Sequence, residues 1–184
     1  EISEFEKKLV GDLFQQKKKP VVYVCNVDDD SASGGNKYVK QVQDALEGTN
    51  AEILVIAGQL EAEITELEIE EERSEFLEDA GLAEPGVNKM IRAAYELLNL
   101  QSFFTEGPKE VRAWTIKKGM TARQAAGVIH SDLERGFIRA EVMKFRDFME
   151  YGSEHAVKEA GKMKLEGKDY IVQDGDIMFI RFNV

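Results

Sequence analysis

Residues 20–30 read PVVYVCNVDDD, a short apolar run that ends in an asparagine and three aspartates. The run from Val21 to Cys25 is rich in β-branched residues, which is typical of a strand buried on both faces. Asn26 and the three aspartates then follow at the end of this predicted strand. Two interpretations stay open: the polar residues form a turn that stops the strand, or they line a pocket that reads a nucleotide base through hydrogen bonds.

The segments that follow predict strands alternating with helices. Lys37–Leu46 carries its apolar residues on one side of a helix, and Glu52–Ile56 (EILVI) is a second buried strand. The turn Ala57-Gly58-Gln59 leads into another helix. Strands separated by a helix in this way indicate a parallel βαβ unit. Further helices are predicted over residues 70–80 and 86–98.

After Asn99 the pattern changes to short strands around a few helices. Asp174-Gly175, between two strand-like runs, predicts a β-hairpin. Thr121 is a good N-cap for a helix that runs to Ile129. The other predicted elements are strands over 110–116 and 136–143 and a helix over 145–160. Together they predict a small α+β domain of the β-grasp kind.

Composition and charge separate the same two regions. The 184 residues are 43% hydrophobic and 32% charged, with a net charge of −11. Residues 1–98 contain 10 Lys and Arg against 22 Asp and Glu, whereas residues 99–184 contain 14 against 13. This shift predicts two units with different surfaces. Between Glu61 and Glu84 there are eleven carboxylates and one basic residue, Arg73. These carboxylates form either a solvated helix face or an acidic docking surface.

Several protein classes are excluded or disfavoured by the sequence. No apolar run reaches the roughly 18–20 residues of a membrane span. The one cysteine, Cys25, cannot form an internal disulfide, which suits a cytoplasmic protein. His130 and His155 have no cysteine near them, which argues against a zinc site. The chain begins with Glu1, so we expect it to be a fragment of a longer protein.

From Lys19 to its end the chain resembles the C-terminal half of the YchF family, the Obg-like ATPases of the P-loop GTPase class. The resemblance rests on five stretches: KPVVYVCNVDD (19–29), ITELEIEEERSEFLEDAGL (64–82), FFTEGPKEVRAWTIKKGMTARQAAGVIHSDLERGFIRAEVM (103–143), EAGKMKLEGKDYIVQDGD (159–176) and RFNV (181–184). It implies an α/β remnant of a P-loop nucleotide-binding domain followed by an α+β, ubiquitin-like β-grasp (TGS) domain. Residues 1–19 would end a helical, coiled-coil insertion, residues 20–98 would be the C-terminal part of the nucleotide-binding domain, and residues 99–184 the TGS domain.

The resemblance also implies a base-binding loop. P-loop GTPases read guanine with an N-K-x-D motif, and YchF proteins carry N-x-x-E, a change associated with acceptance of ATP. Here the matching positions are Asn26-Val27-Asp28-Asp29, so the fourth residue departs from the family's glutamate. We expect Asn26 to brace the loop, Val27 to line the pocket and Asp29 to be the residue at the base edge. The fifth motif maps to Ala57 and Gly58, with an ordinary strand-to-helix turn as the alternative.

The phosphate-binding residues are expected outside this chain. The string G-x-x-x-x-G-K-[ST], which holds phosphates and Mg²⁺, does not occur in the 184 residues, and Gly34-Gly35-Asn36-Lys37 lacks its spacing. We therefore expect no catalytic residue and no metal ligand here, and no turnover by the chain alone. The longer protein is expected to bind and hydrolyse ATP or GTP with Mg²⁺, as a ribosome-associated or stress-related switch in the cytoplasm.

A second hypothesis is an interaction module without nucleotide turnover. Arg135, Arg139, Lys144 and Arg146 are interleaved with Phe137 and Phe145, a pattern that can bind RNA. Since TGS domains occur in ribosome-linked proteins, the resemblance makes this cluster a candidate contact for RNA or for a protein partner. The acidic helices would provide the other surface of such a module.

Overall fold

The computed structural model describes residues 20–49, 51–107 and 110–183. The chain divides into two compact units between Leu98 and Asn99, here called the first and the second unit. The helical end predicted within residues 1–19 lies outside the described residues. None of the helices in the described part is long and apolar enough to cross a membrane.

In its described residues, the first unit contains one parallel strand pair and four helices. Its elements are β1 (Val22–Asn26), a short 3-10 turn (Asp29–Ser31), α1 (Lys37–Ala45), β2 (Glu52–Ile56), α2 (Gly58–Glu66), α3 (Glu70–Asp79) and α4 (Gly86–Leu97). β1 and β2 are parallel, with Val22 opposite Glu52 and Asn26 opposite Ile56. The predicted βαβ unit is therefore confirmed. α1 begins where the Asn36 side chain accepts hydrogen bonds from the next turn, as N-caps do.

The prediction that β1 is buried on both faces is wrong for the described residues. Val21 is 49% exposed, Tyr23 40% and Val24 48%. β2 is the only strand that pairs with β1 in the part of the chain that the structure describes. Cys25, a free thiol, is half-buried on this strand opposite Val55. The buried apolar cluster of the unit lies elsewhere, around Ala32, Ala57, Leu60 and Ile64.

A glutamate from α2 fixes the start of α4. The Glu61 Oε1 atom accepts the N–H of Gly86 at 2.5 Å, because the preceding Pro85 offers no capping side chain. A carboxylate at a helix N-terminus also interacts favourably with the helix dipole. A Cβ atom at position 86 would lie 2.7 Å from this oxygen, so a larger residue there would force the Glu61 carboxylate to shift.

The second unit is a five-stranded sheet with helices packed on it. Its elements are β3 (Leu100–Glu106), β4 (Val111–Lys117), α5 (Ala122–Ile129), α6 (Ser131–Arg135), β5 (Phe137–Lys144), α7 (Phe145–Tyr151), α8 (Glu154–Glu159), β6 (Lys164–Glu166) and β7 (Asp176–Phe182). The strand order is β4-β3-β7-β5-β6. β3 and β7 are parallel and the other neighbours are antiparallel. Thr121 caps α5 as predicted, in a capping box with Gln124.

Apolar clusters lie on both faces of this sheet. Strand residues alternate between faces, so Val142 and Met143 of β5 belong to different clusters. The first includes Phe103, Ala125, Val142 and Met178 and lies against α5. The second includes Met143, Val157 and Ile177 and involves α8.

The predicted hairpin at Asp174-Gly175 is wrong, although the turn is present. Gly175 has a φ of 75°, and the Asp176 N–H donates to the Gln173 carbonyl at 3.2 Å. The segment before the turn does not pair with β7, because β5 and β3 already occupy both sides of that strand. It bonds to the loop before α5 instead, where the Ala122 N–H donates to the Tyr170 carbonyl at 2.7 Å.

Two further predictions need correction. The helix predicted over 145–160 is two helices, because Gly152 adopts a left-handed φ of 77° and Ser153 caps a new helix. β3 and β6 were not predicted. LQSFFTE of β3 places polar residues among its aromatic ones, and β6 has only three residues.

Candidate functional site

The two loops predicted to form a base site are joined by one hydrogen bond. β1 ends at Asn26 and β2 at Ile56, and these residues face each other in the parallel pair. The carboxyl ends of parallel strands are where open α/β sheets bind ligands. Here the Asn26 Oδ1 atom accepts the N–H of Gly58 at 2.9 Å. Asn26 and the Ala57-Gly58 turn therefore form one structural feature.

Asn26 also supplies a cap that α2 lacks. The N-cap residue of α2 is Ala57, which has no side-chain acceptor and is 3% exposed. The first N–H of the helix, from Gly58, is satisfied by Asn26 instead. A Cβ atom at position 58 would lie 3.1 Å from the Asn26 Oδ1 atom, so glycine allows this close approach.

Val27 packs into the core of the first unit. Its N–H donates to the Ile56 carbonyl at 2.9 Å, which extends the link between the two loops. Its half-buried side chain contacts the cluster of Ala57, Leu60 and Ile64. The predicted contact of Val27 with a base stays a prediction beside this core contact.

The three aspartates after the strand have different surroundings. The Asp28 Oδ1 atom accepts the N–H of Ser31 at 3.1 Å and begins the 3-10 turn, which is the behaviour of a polar turn. Asp29 is exposed and lines an open cavity of about 430 Å³ with Asp30, Asp79 and other residues of α2 and α3. The lining of this cavity does not include Asn26 or Gly58. The structure thus brings Asn26, Ala57 and Gly58 together and directs Asp29 to a neighbouring cavity.

The chemistry of this region fits a base better than a phosphate. The Asn26–Gly58 contact presents amide groups, which can hydrogen-bond to an uncharged heterocycle. The cavity beside it carries three carboxylates, from Asp29, Asp30 and Asp79, and like charges would repel a polyphosphate there. Within the described ranges, no group of three or more His, Cys, Asp and Glu side chains could hold a metal ion.

The four predicted RNA-contact residues do not form one cluster. Arg139 and Lys144 lie five residues apart on β5, and hence on opposite faces and roughly 16 Å apart at about 3.3 Å per residue. Arg135 is at the end of α6, where it pairs with Asp132. Arg146 is exposed on α7. Sequence proximity alone suggested a cluster that the alternation of the strand breaks up.

Lys144 belongs to a buried polar network that the sequence analysis missed. Its Nζ atom lies 2.5 Å from the Oδ1 atom of Asp176, whose residue is fully buried. The other carboxylate oxygen accepts the Tyr170 hydroxyl and the Gln173 N–H, both at 2.8 Å. Burial and the bond to Asp176 raise the pKa of the Tyr170 hydroxyl above its usual range. A possible sequence signal was the aspartate that immediately precedes the apolar run of β7.

Arg139 lies beside a residue that was also missed. It faces Arg181 of β7 directly in the antiparallel pair. Arg181 pairs with Glu141, two residues beyond Arg139 on β5. The signal in the sequence was a single arginine near the end of β7, DIMFIRF, within a run that is apolar after its first residue, Asp176.

Comparison with known proteins gives consistent matches. The family model YchF-GTPase_C, described as "Protein of unknown function (DUF933)", matches residues 100–183. "Ribosome-binding ATPase YchF" of Haemophilus ducreyi is 54% identical over 166 residues, which are 90% of this chain and 45% of that protein. The Bacillus subtilis protein of the same name is 48% identical over 186 residues, covering 100% of this chain and 50% of that protein.

A solved structure agrees with these relatives. The Schizosaccharomyces pombe YchF GTPase matches with a TM-score of 0.84 and 33% identity, over 98% of this chain and 48% of that chain. The chain spans about half the length of the curated relatives it matches. The α/β architecture with a mixed sheet agrees with this neighbour. The chain therefore belongs to the YchF family and corresponds to the C-terminal portion of its members.

Proposed function

We propose that this chain is the C-terminal portion of a cytoplasmic nucleotide hydrolase that acts as a ribosome-associated or stress-related switch. Residues 20–98 complete its nucleotide-binding domain and contribute to the base site, and residues 99–184 form its TGS domain. The phosphate-binding and Mg²⁺-binding groups belong to the rest of the protein. The observation that carries the proposal is the Asn26–Gly58 hydrogen bond of 2.9 Å, which joins the two loops expected to hold a base.

The proposed nucleotide is ATP, with GTP as the weaker ligand. Guanine offers two adjacent donors that a carboxylate can accept together, whereas the N1 atom of adenine is itself an acceptor. Strict guanine recognition would therefore need the Asp29 carboxylate at the base edge. Asp29 instead lines the acidic cavity with Asp30 and Asp79, whose lining does not include Asn26 or Gly58. The names of the relatives include both ATPase and GTPase, so the base preference needs a direct measurement.

The ribosome is the proposed macromolecular partner, and the second unit its contact. Two bacterial relatives are named ribosome-binding ATPases. The second unit lacks the acidic excess of the first, with 14 basic and 13 acidic residues from 99 to 184. A polyanion would be repelled less by this unit than by the helices between Glu61 and Glu84.

Competitive titration of ATP and GTP against the full-length protein tests the base site. Asn26→Ala should weaken both nucleotides, because the two loops lose their link. Asp29→Ala should change ATP affinity by less than about threefold, or under ~0.7 kcal/mol. Asp30→Ala, an exposed neighbour with the same charge change, is the matched control. A strong GTP preference that collapses in Asp29→Ala would overturn the adenine assignment.

The 184-residue chain provides a second test. It should show no ATP or GTP turnover above buffer and no ATP affinity in the millimolar range or better by calorimetry, since its sequence lacks the phosphate-binding string. Magnesium-dependent turnover by this chain would contradict the placement of the phosphate-binding groups elsewhere.

A further inference from the structure

Two arginines face each other across the sheet of the second unit. Arg139 of β5 is directly opposite Arg181 of β7, a position in which Cβ atoms are about 4.5–5.5 Å apart. Like charges at directly opposed positions destabilise an antiparallel pair. The pair is thus unfavourable for folding unless an anion compensates it.

Among the described residues, the carboxylate of Glu141 compensates the positive charge of the arginine pair only in part. The Arg181 Nε and Nη2 atoms contact the carboxylate oxygens of Glu141 at 3.4 and 3.2 Å. The pKa of the Glu141 carboxyl is lowered chiefly by its hydrogen bond to Arg181, although desolvation opposes this, and the charges of Arg181, Lys158 and Arg139 lower it further. One carboxylate, that of Glu141, therefore lies close to all three cations.

The three cations are accessible from solvent. The Glu141 side chain is 14% exposed and that of Arg181 58% exposed, while Arg139 and Lys158 are exposed. The carboxylate thus lies mostly below the surface and holds Arg181 from one edge. A guanidinium has five N–H donors, and the contacts to Glu141 leave the others available for a ligand.

The approach for an anion is restricted to one side. Arg181 also lines a cavity of about 670 Å³, whose wall includes Glu106, Glu110 and Glu154. These carboxylates would repel an anion, so a ligand would reach Arg181 over Arg139 and Lys158. Three other cations of the second unit have partners of their own: Lys144 with Asp176, Arg135 with Asp132, and Arg112 over the ring of Trp114.

We propose that Arg139, Arg181 and Lys158 form a binding site for a phosphate of an RNA backbone. Guanidinium groups match phosphate oxygens in a bidentate geometry, and a phosphate between the two arginines would remove their mutual repulsion. The choice of RNA over an acidic protein rests on the ribosome contact of the proposed function. The other proposed candidates, Arg135, Lys144 and Arg146, are outside this site.

The test is RNA binding by the 184-residue chain, measured by anisotropy of a labelled 20-nucleotide single-stranded RNA over a series of KCl concentrations. Arg139→Gln should weaken binding and reduce the slope of log K against log salt by part of ~0.7, the value for one phosphate contact on a single strand. The double variant with Arg181→Gln should lose the phosphate contact altogether and reduce the slope by the full ~0.7. Arg139→Lys should keep the slope but lose affinity, because the planar fork is absent.

Arg135→Gln is the matched control, since it removes an exposed arginine that is paired with Asp132; it should leave the slope unchanged. Arg139→Gln should melt no lower than the wild type, because it removes a like-charge pair, and this separates lost binding from lost folding. The site is overturned if the wild-type chain does not bind RNA at low salt, or if Arg139→Gln binds like the wild type. Displacement of RNA by an equal charge concentration of poly-glutamate or inorganic phosphate would also overturn the assignment to RNA.

Sedimentation with ribosomes separates this inference from the proposed function. If wild type and Arg139→Gln sediment with ribosomes equally, the ribosome contact stands and the arginine site fails. If RNA binding depends on Arg139 but the wild type does not sediment with ribosomes, the arginine site stands and the ribosome partner fails.

Discussion

In the second unit both faces of the sheet carry a buried apolar cluster, although single strand residues such as Val111, Ile138 and Leu165 are exposed. The buried cluster described for the first unit, in contrast, contains no residue of β1. Val21, Tyr23 and Val24 are 40–49% exposed. α4 likewise presents Val87, Met90 and Ile91 with 43–51% of their surface exposed. The two units have similar chain lengths, so length does not explain this contrast.

The apolar sequence of β1 is suited to a strand that is covered on both faces. The described residues of the first unit do not provide that cover. Parallel strands are buried on both faces in most proteins, and the β1 sequence has that character. A two-stranded sheet is rarely stable without further strands or helices against it. In the proposed longer protein, the remainder of the nucleotide-binding domain would cover these residues.

The largest effect is expected from separating the units. Residues 99–184 expressed alone should give dispersed amide spectra and a cooperative melt, because both of their apolar clusters are internal. Residues 20–98 expressed alone should lack a cooperative transition, since their exposed apolar residues have no cover in the described structure. Calorimetry and amide spectra of both fragments measure this contrast.

A result from either fragment could contradict the expected difference in stability between the two units. A disordered product from residues 99–184 would mean that the boundary near Asn99 is wrong. A sharp melt of residues 20–98 would mean that the first unit is self-sufficient despite its exposed apolar residues.

Within the second unit, Asp176→Ala should cause a large loss of stability from a single polar substitution. The Tyr170 hydroxyl and the Gln173 N–H would lose their acceptor, and Lys144 would lose its counter-charge. We expect a loss of about 2–4 kcal/mol in the free energy of unfolding, below the upper range for fully buried pairs because Lys144 reaches solvent. Denaturant unfolding measures it.

The matched control is the exposed Asp169→Ala, which should stay within about 0.5 kcal/mol of the wild type. Equal losses in the two variants would show that the buried network is not what stabilises this part of the second unit.

A smaller, local effect is expected in the first unit from Glu61→Ala. Removing the carboxylate leaves the Gly86 N–H without its acceptor, which should destabilise the start of α4 by about 1–2 kcal/mol, as for a lost N-cap. Hydrogen exchange of α4 amides in the whole chain is the measurement. Glu66→Ala, on the exposed end of α2, should leave those amides unchanged; faster exchange in both variants would indicate a general loss of α2.

The smallest effect should appear only in alkaline solution. The pKa of Tyr170 is raised by burial and by Asp176, so the folded state keeps this proton when the unfolded state releases it above pH about 10. A raised folded-state pKa contributes stability that is complete below the unfolded pKa and is lost as the pH rises through the folded pKa. Between pH 9 and 11 the wild type should therefore lose stability faster than Tyr170→Phe. Parallel stability curves would contradict this.

The sequence allowed prediction of those elements whose pattern is local. β1, β2 and the helices α1, α3, α4 and α5 appear close to their predicted ranges, because apolar periodicity and caps such as Thr121 act within a few residues. α2 was predicted without bounds and begins at Gly58, within the expected turn. The link between Asn26 and Gly58 was implied only by resemblance, since the residues are 32 positions apart. That hydrogen bond depends on the parallel register, which no local pattern specifies.

Failures arose where long-range pairing decides the structure. The turn at Gly175 has the expected residues, but the segment before it bonds to the loop at Met120 to Ala122. The basic cluster failed because positions five apart on a strand face opposite ways. The partners of Arg181 and Asp176 lie on β5, 40 and 32 residues away in the sequence. A single sequence does not indicate which distant residues pair in this way.

The half-buried Cys25 next to Asn26 has a practical consequence for spectroscopy. Since it is the only thiol in the 184 residues, a small spin label or fluorophore attached there would occupy a single site, with no other cysteine to remove by mutation. The label would sit one residue before the asparagine that joins the two loops. Its mobility would then report when the exposed strand acquires a covering partner.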